Sequence, residues 1–162
     1  MPRVLSFVGK SGTGKTTLIS KLVVELKRRN LRVAVIKHAH HGFELDKKDS
    51  DSAIYRDVGA DAVMLASPQG MALMQRLPTD EEPDRLLGFF AGMDLVITEG
   101  FKTGPWPKIA VYRKAISPSA FDKPLENGIA VVSDFPIDTG LPRFSHSDTA
   151  EIADFIQSAL SR

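Results

Sequence analysis

Eight consecutive residues, Gly9-Lys10-Ser11-Gly12-Thr13-Gly14-Lys15-Thr16, have the types and the spacing to do chemistry together. They fill every fixed position of the pattern G-x-x-x-x-G-K-[ST]. A polyphosphate needs many N–H donors converging on it, and glycines let the backbone curl around it without Cβ clashes. Lys15 adds a mobile cation, and the Thr16 hydroxyl can sit on a Mg²⁺ that bridges the β- and γ-phosphates. Thr17 continues the run. The stretch from Gly9 to Thr17 therefore reads as a nucleoside triphosphate site with Lys15 as a catalytic candidate; the competing reading is a glycine-rich turn.

Two elements must hold that loop. Val4-Leu5-Ser6-Phe7-Val8 before it is an apolar run of strand length, and after it Leu18, Ile19, Leu22, Val23 and Leu26 recur on one helical face. The helix starts at the loop, so its unpaired amides and positive dipole end face the same anion. Lys27, Arg28 and Arg29 read as a solvated helix end, with a binding patch as the competing reading. A second strand over 31–36 makes a strand, helix, strand unit, which implies a right-handed parallel crossover.

In an open parallel sheet, ligands bind outside the carboxyl ends of the strands, and this sorts the carboxylates. A strand over 94–98 puts Asp94 at its amino end and Glu99 just past the other, roughly 15 Å away at ~3.3 Å per residue. Glu99 shares the rim with the phosphate loop, and Asp94 does not. Strand ends bring Lys37, His38, Asp46, Lys102 and Asp134 onto or near the same rim. Glu99 fits the acidic partner of Mg²⁺, or a catalytic group positioning the attacking water. Asp46 is its rival for either role, and a structural carboxylate is the remaining reading.

The rest of the chain supplies the frame. The stretch 37–46 is polar and without period. A helix is expected over 49–58, capped by Asp49, Ser50 or Asp51 and ended by Gly59. Strands over 62–66 and 71–75 flank Ser67-Pro68-Gln69-Gly70, which suits a type I turn. That hairpin is expected to make the sheet mixed. Acids at 80–82 open a helix running to about Phe90, and further strands span 108–113 and 129–133. The stretch 117–127 reads as loop or short helix, and 134–145 as irregular. Asp148 opens the last helix with Glu151 as capping-box partner and Ile152, Phe155, Ile156, Ala159 and Leu160 as its inner stripe. His146 reads as surface, Arg113 as structural although it stands at a strand end, and Trp106 as a cover for the core edge.

Composition agrees with one compact soluble domain over residues 1–162. The chain has 162 residues, 43% of them hydrophobic, enough for one core. A net charge of +1 gives no reason to expect nucleic acid or a membrane surface. The absence of cysteine removes disulfides and thiolate metal sites and suits a cytoplasmic protein. No targeting segment is visible, and no apolar run approaches the ~20 residues that span a bilayer.

The phosphate loop, the stretch from Ile36 through Lys37-His38-Ala39-His40-His41-Gly42-Phe43-Glu44-Leu45-Asp46, Lys48-Asp49-Ser50, and Thr98-Glu99-Gly100-Phe101-Lys102 together resemble the MobB family of molybdopterin-guanine dinucleotide biosynthesis adaptors. The likeness is close over 3–113 and weak beyond. It implies a P-loop NTPase three-layer α/β fold, with a mostly parallel central sheet plus an antiparallel hairpin. It also implies a GTP-binding protein, usually a homodimer, that assists the molybdenum cofactor guanylyltransferase and hydrolyses GTP slowly at most. The Asn-Lys-x-Asp signature of ordinary GTPases is missing. Asp134 can accept from guanine N1 and N2 in its place, or be a surface turn residue, so preference for GTP over ATP rests on the resemblance.

His38, His40 and His41 invite a metal reading, but without cysteine and with irregular spacing a second ligand accounts for them better. Lys37, His38, His40 and Lys102 then meet the phosphate or pterin groups of molybdopterin or its guanine dinucleotide. A small-molecule kinase and a metal-delivery GTPase are the alternative functions; the first lacks a visible arginine-bearing lid, and the second has only the histidines. Val63, Leu65, Met71, Leu73 and Leu77 leave an apolar hairpin edge, which a second copy of the chain would cover.

Overall fold

The first strand, β1 (Arg3–Val8), buries Leu5 and Phe7 on one face and Val4 and Val8 on the other. A strand covered on both faces reads as a continuous apolar run, and this one sits inside the sheet. The computed structural model describes residues 2–39, 42, 47, 48, 50–76, 83–119 and 125–160. They follow as α1 (Lys15–Arg28), β2 (Val33–Lys37), α2 (Asp51–Asp57), β3 (Ala62–Ser67), β4 (Gly70–Gln75), α3 (Pro83–Leu87), a 3₁₀ turn at Gly88–Phe90, β5 (Leu95–Glu99), β6 (Lys108–Tyr112), β7 (Gly128–Ser133), β8 (Arg143–Phe144) and α4 (Thr149–Leu160). By packing the chain divides into Met1–His38 with Pro83–Arg162, and Ala39–Glu82.

The larger unit holds a six-stranded sheet in the order β2-β5-β1-β6-β7-β8, every pairing parallel. Odd and even positions go to different layers. Leu5, Phe7, Leu95, Ile97, Ile109, Val111, Ala130 and Val132 face α1 and α4, which contribute Leu18, Leu22, Leu26, Ile152 and Ile156. Each such fully buried Leu, Ile, Val or Phe side chain is worth about 1.5–3 kcal/mol. On the other face Val4, Ala34 and Val96 pack with Leu87 and Trp106, so Trp106 covers a core edge as expected. Farther along, Val8, Ala110, Tyr112 and Val131 form that face's second cluster. Between β1 and β5, the Thr98 hydroxyl donates to Ser6 Oγ at 2.7 Å, which satisfies two buried polar groups.

The smaller unit holds α2 and the hairpin. Ser50 caps α2 by accepting from Ala53 N at 3.3 Å, which selects it among the three expected caps. β3 and β4 pair in register from Ala62↔Gln75 to Ser67↔Gly70 and form a sheet of their own. The central sheet is therefore parallel throughout and not mixed. Local pattern specifies a hairpin but says nothing about which sheet, if any, it joins. Val63 and Met74 are buried, while Met64, Leu65, Met71 and Leu73 are exposed, so Met64 replaces Val63 on the expected apolar surface. Leu77 lies outside the described residues, as do Asp49 and the acids at 80–82.

Two further expectations change. The stretch expected to be irregular contains β8, two residues paired parallel to β7 and too short to show a period. In α4 the buried stripe among the described side chains is Ile152, Ala153 and Ile156, with Phe155 and Ala159 only partly covered; the Leu160 side chain lies outside them. The Asp148 carboxylate accepts from Ser145 N at 2.8 Å and so ties down the preceding loop.

Candidate functional site

The phosphate loop leaves β1 at its carboxyl end. Gly9 is pressed against β6: a Cβ there would stand 2.4 Å from the Val111 carbonyl oxygen, so only glycine fits. Thr13 is fully buried and its hydroxyl closes the loop on Lys10 O at 3.0 Å. Gly14, at φ 91, precedes α1, which has no side-chain cap and no acid in its first turn. The first amides of the helix are thus left for an anion.

Lys15 Nζ donates to Gly9 O at 3.0 Å and Lys10 O at 2.8 Å, which folds the ammonium over the loop. Its pKa is lowered, first by burial, with Glu99 opposing and Lys102 and Lys37 reinforcing the shift. Lys15 therefore feels the charges of the other three across the rim. The Thr16 hydroxyl hydrogen-bonds to Glu99 Oε1 at 2.9 Å and Oε2 at 3.1 Å. Both atoms are hard oxygen donors of the kind Mg²⁺ takes. Lys10, Ser11, Gly12 and Thr17 are exposed along the loop.

Register explains the convergence. Ile36↔Thr98 and Phe7↔Glu99 are paired, so Lys37, Glu99 and the loop emerge at one level. Asp94 sits at the opposite edge, where it pairs with Arg32 at 2.9 Å. His38 stacks on Phe101 with ring centroids 4.5 Å apart, and its backbone N–H donates to Glu99 O at 3.0 Å. A Cβ at Gly100 would lie 3.1 Å from His38 Cβ, and φ there is 106, so glycine lets the two strand ends approach. Lys37 and Lys102 are exposed beside them. His40 and Asp46 lie outside the described residues.

On the far side of the loop, Asp134 follows β7, is exposed, and accepts from Lys114 N at 2.8 Å. Two residues read as unremarkable in the sequence come to the loop itself. His146 is half-buried, not plain surface: its Nε2 is 2.8 Å from Tyr112 O, and its ring lies 3.7 Å from where a Cβ on Gly14 would stand. Arg113 Nη2 is 3.2 Å from that same point. The only sequence signal for either was the strand end before Arg113.

A strand, glycine loop and helix at the carboxyl rim of a parallel three-layer sheet define a P-loop NTPase fold. The family model of MobB, molybdopterin guanine dinucleotide synthesis protein B, matches residues 4–134, and the chain belongs to that family. The molybdopterin-guanine dinucleotide biosynthesis adapter protein of Haemophilus influenzae is 37% identical over 163 residues, covering 97% of this chain and 89% of that protein. Its counterpart in Escherichia coli strain K12 is 37% identical over 160 residues, covering 94% and 90%. A crystal structure of molybdopterin-guanine biosynthesis protein B aligns with a TM-score of 0.76 at 34% identity, covering 96% of this chain and 99% of that one. The likeness thus runs well beyond Arg113, where the close resemblance was expected to end. Among the described residues, no helix is long and apolar enough to cross a membrane.

Proposed function

We propose that the chain is a GTP-binding adapter in molybdopterin-guanine dinucleotide biosynthesis, acting in the cytoplasm as one functional domain. It assists the guanylyltransferase that joins GMP to the molybdenum-bearing pterin. The observation that carries the nucleotide reading is the Thr16 hydroxyl on both Glu99 oxygens, beside a lysine folded over a glycine loop. Thr16 and Glu99 suit Mg²⁺, directly or through water, with Asp46 the alternative acid; the ion would neutralise charge between the β- and γ-phosphates.

Lys15 supplies the mobile positive charge. A Glu99 that serves the ion is not free to position an attacking water, so hydrolysis is slow at most. Asp134, two strands from the loop at about 4.8 Å per strand, is at the distance of a base and suits guanine N1 and N2. Lys37, His38 and Lys102, with His40, offer the phosphate and pterin groups of a second ligand cations and a stacked ring surface. The exposed Met64, Leu65, Met71 and Leu73 support a homodimer through the hairpin.

Calorimetric titration of the protein with GTP and ATP, with and without Mg²⁺, tests this reading. Mg²⁺-dependent binding that favours GTP, with phosphate release far slower than binding, is the expected result. Absence of binding to either nucleotide overturns it.

A further inference from the structure

The two flanks of the phosphate loop are chemically different. Lys37 and Glu99 end the strands on the β5 side of β1, while Arg113 and Asp134 follow the strands on the β6 side. The Thr16 hydroxyl points to Glu99, so the metal-bridged β,γ end of a bound triphosphate belongs toward β5. The α-phosphate and nucleoside then run the other way, across the end of β6. Arg113 stands there.

Its guanidinium reaches the turn from loop into helix: Nη2 lies 3.2 Å from the place a Cβ on Gly14 would take. Gly14 is at φ 91, a conformation side chains rarely adopt, and its missing side chain is what lets the guanidinium stand so close to the turn. A guanidinium carries five donors, yet this half-buried one has neither carboxylate nor carbonyl partner among the described residues. Its backbone is anchored, because Arg113 O accepts from Ile116 N at 2.9 Å and Ser117 N at 2.8 Å. On the other side of the same space, the Tyr112 carbonyl can only accept, so His146 Nε2 carries the hydrogen in that 2.8 Å contact. The ring is thereby held over Gly14.

We propose that Arg113 grips the α-phosphate of the bound nucleotide. An arginine fork matches two phosphate oxygens at once and keeps its charge at any working pH. The assignment rests on the nucleotide reading above and adds a direction to it: the ligand lies along the rim with phosphates toward Glu99 and base toward Asp134.

The α-phosphate is common to GTP, GDP and GMP, and this makes the proposal separable. In calorimetric titrations, Arg113→Ala should weaken all three by the same factor, about tenfold to a hundredfold, with the Mg²⁺ concentration for half-saturation by GTP unchanged. Arg113→Lys should recover part of the loss. Arg113→Gln keeps most of the stem, and a thermal melt matching the parent shows that its weakened binding is not misfolding. Unchanged affinity in a folded Arg113→Gln overturns the proposal. So does a loss confined to GTP, which would move Arg113 to the γ-phosphate. If the unaltered protein binds no nucleotide, the broader reading falls; if it binds and the variants bind equally well, only the Arg113 assignment falls.

Discussion

The two ends of β5 carry carboxylates in opposite situations. Asp94, at the amino end, accepts from Arg32 Nη2 at 2.9 Å, Arg32 Nε at 3.2 Å and Arg32 N at 2.7 Å. Glu99, at the carboxyl end, accepts only the Thr16 hydroxyl among the described residues, and the rim around it is cationic. The contrast extends along both edges. At the amino edge Arg29 is closed by Glu25 and Asp154, and the buried Lys108 ammonium donates to Gly104, Trp106 and Glu126 carbonyls. At the carboxyl edge Lys37, Lys102 and Arg113 have no ion-pair partner among the described residues. Charge closed on itself holds structure, and charge left open marks where an anion belongs. Changes at the first edge should cost stability, and changes at the second should cost ligand.

The largest effect is expected at the carboxyl edge. Lys15→Ala removes the ammonium over the loop but little packing, and the Gly9 and Lys10 carbonyls it leaves can turn to water. GTP affinity should fall by about a hundredfold or more, as for two charge-assisted hydrogen bonds, while the melting temperature barely moves. Normal affinity in a folded variant breaks the comparison outright.

The amino edge should answer in the opposite way. Lys108→Met strands three carbonyl contacts, two of them buried, for a loss of about 2 kcal/mol or a melting point lower by about 4–8 °C. Burial lowers the pKa of Lys108, which is the cost the three carbonyls offset. GTP affinity at saturating Mg²⁺ should stay within twofold of the parent. A variant that melts normally but binds poorly would reverse the assignment of the two edges.

Next in size is Glu99→Gln, which keeps shape and the Thr16 contact but not the charge. The Mg²⁺ needed for half-saturation by GTP should rise by about tenfold, with Mg²⁺-free binding unchanged or tighter because a repulsive carboxylate is gone. An unmoved Mg²⁺ titration would hand the role to Asp46.

Much of this contrast was readable in the chain itself. A fixed motif locates the loop, and strand length alone separates Asp94 from Glu99, because five residues of extended chain span the sheet. Ser50 and the Pro68-Gln69 turn follow from local chemistry as well. What could not be read depends on contacts distant in sequence. His146 is tied to Tyr112, thirty-four residues away, and nothing near either residue announces the bond. The same holds for Arg113 beside Gly14, and for the hairpin's forming a sheet of its own. β8 escaped for a different reason: two residues carry no period, and its pairing is set by β7.

The smallest effect, and the most specific test of a closed pair, belongs to Asp94. Hydrogen bonds from the Arg32 side chain, then from its backbone N–H, hold the Asp94 carboxyl at about 2 against an ordinary 3.8. A folded-state pKa below the unfolded one means that the folded protein binds fewer protons in between. The stabilisation is therefore complete above about pH 4 and is lost as pH falls toward 2. Asp94→Asn removes the charge that titrates, so it should melt slightly below the parent near pH 6, and the gap should close between pH 4 and pH 2. The pair is exposed, so added salt should shrink the gap at pH 6 as well. GTP binding at pH 7 should be unchanged, since Arg32 and Asp94 lie at the edge away from the loop. A melting gap that persists undiminished at pH 2 would assign the effect to shape and hydrogen bonding alone, and would remove charge from the account of why the amino edge is closed.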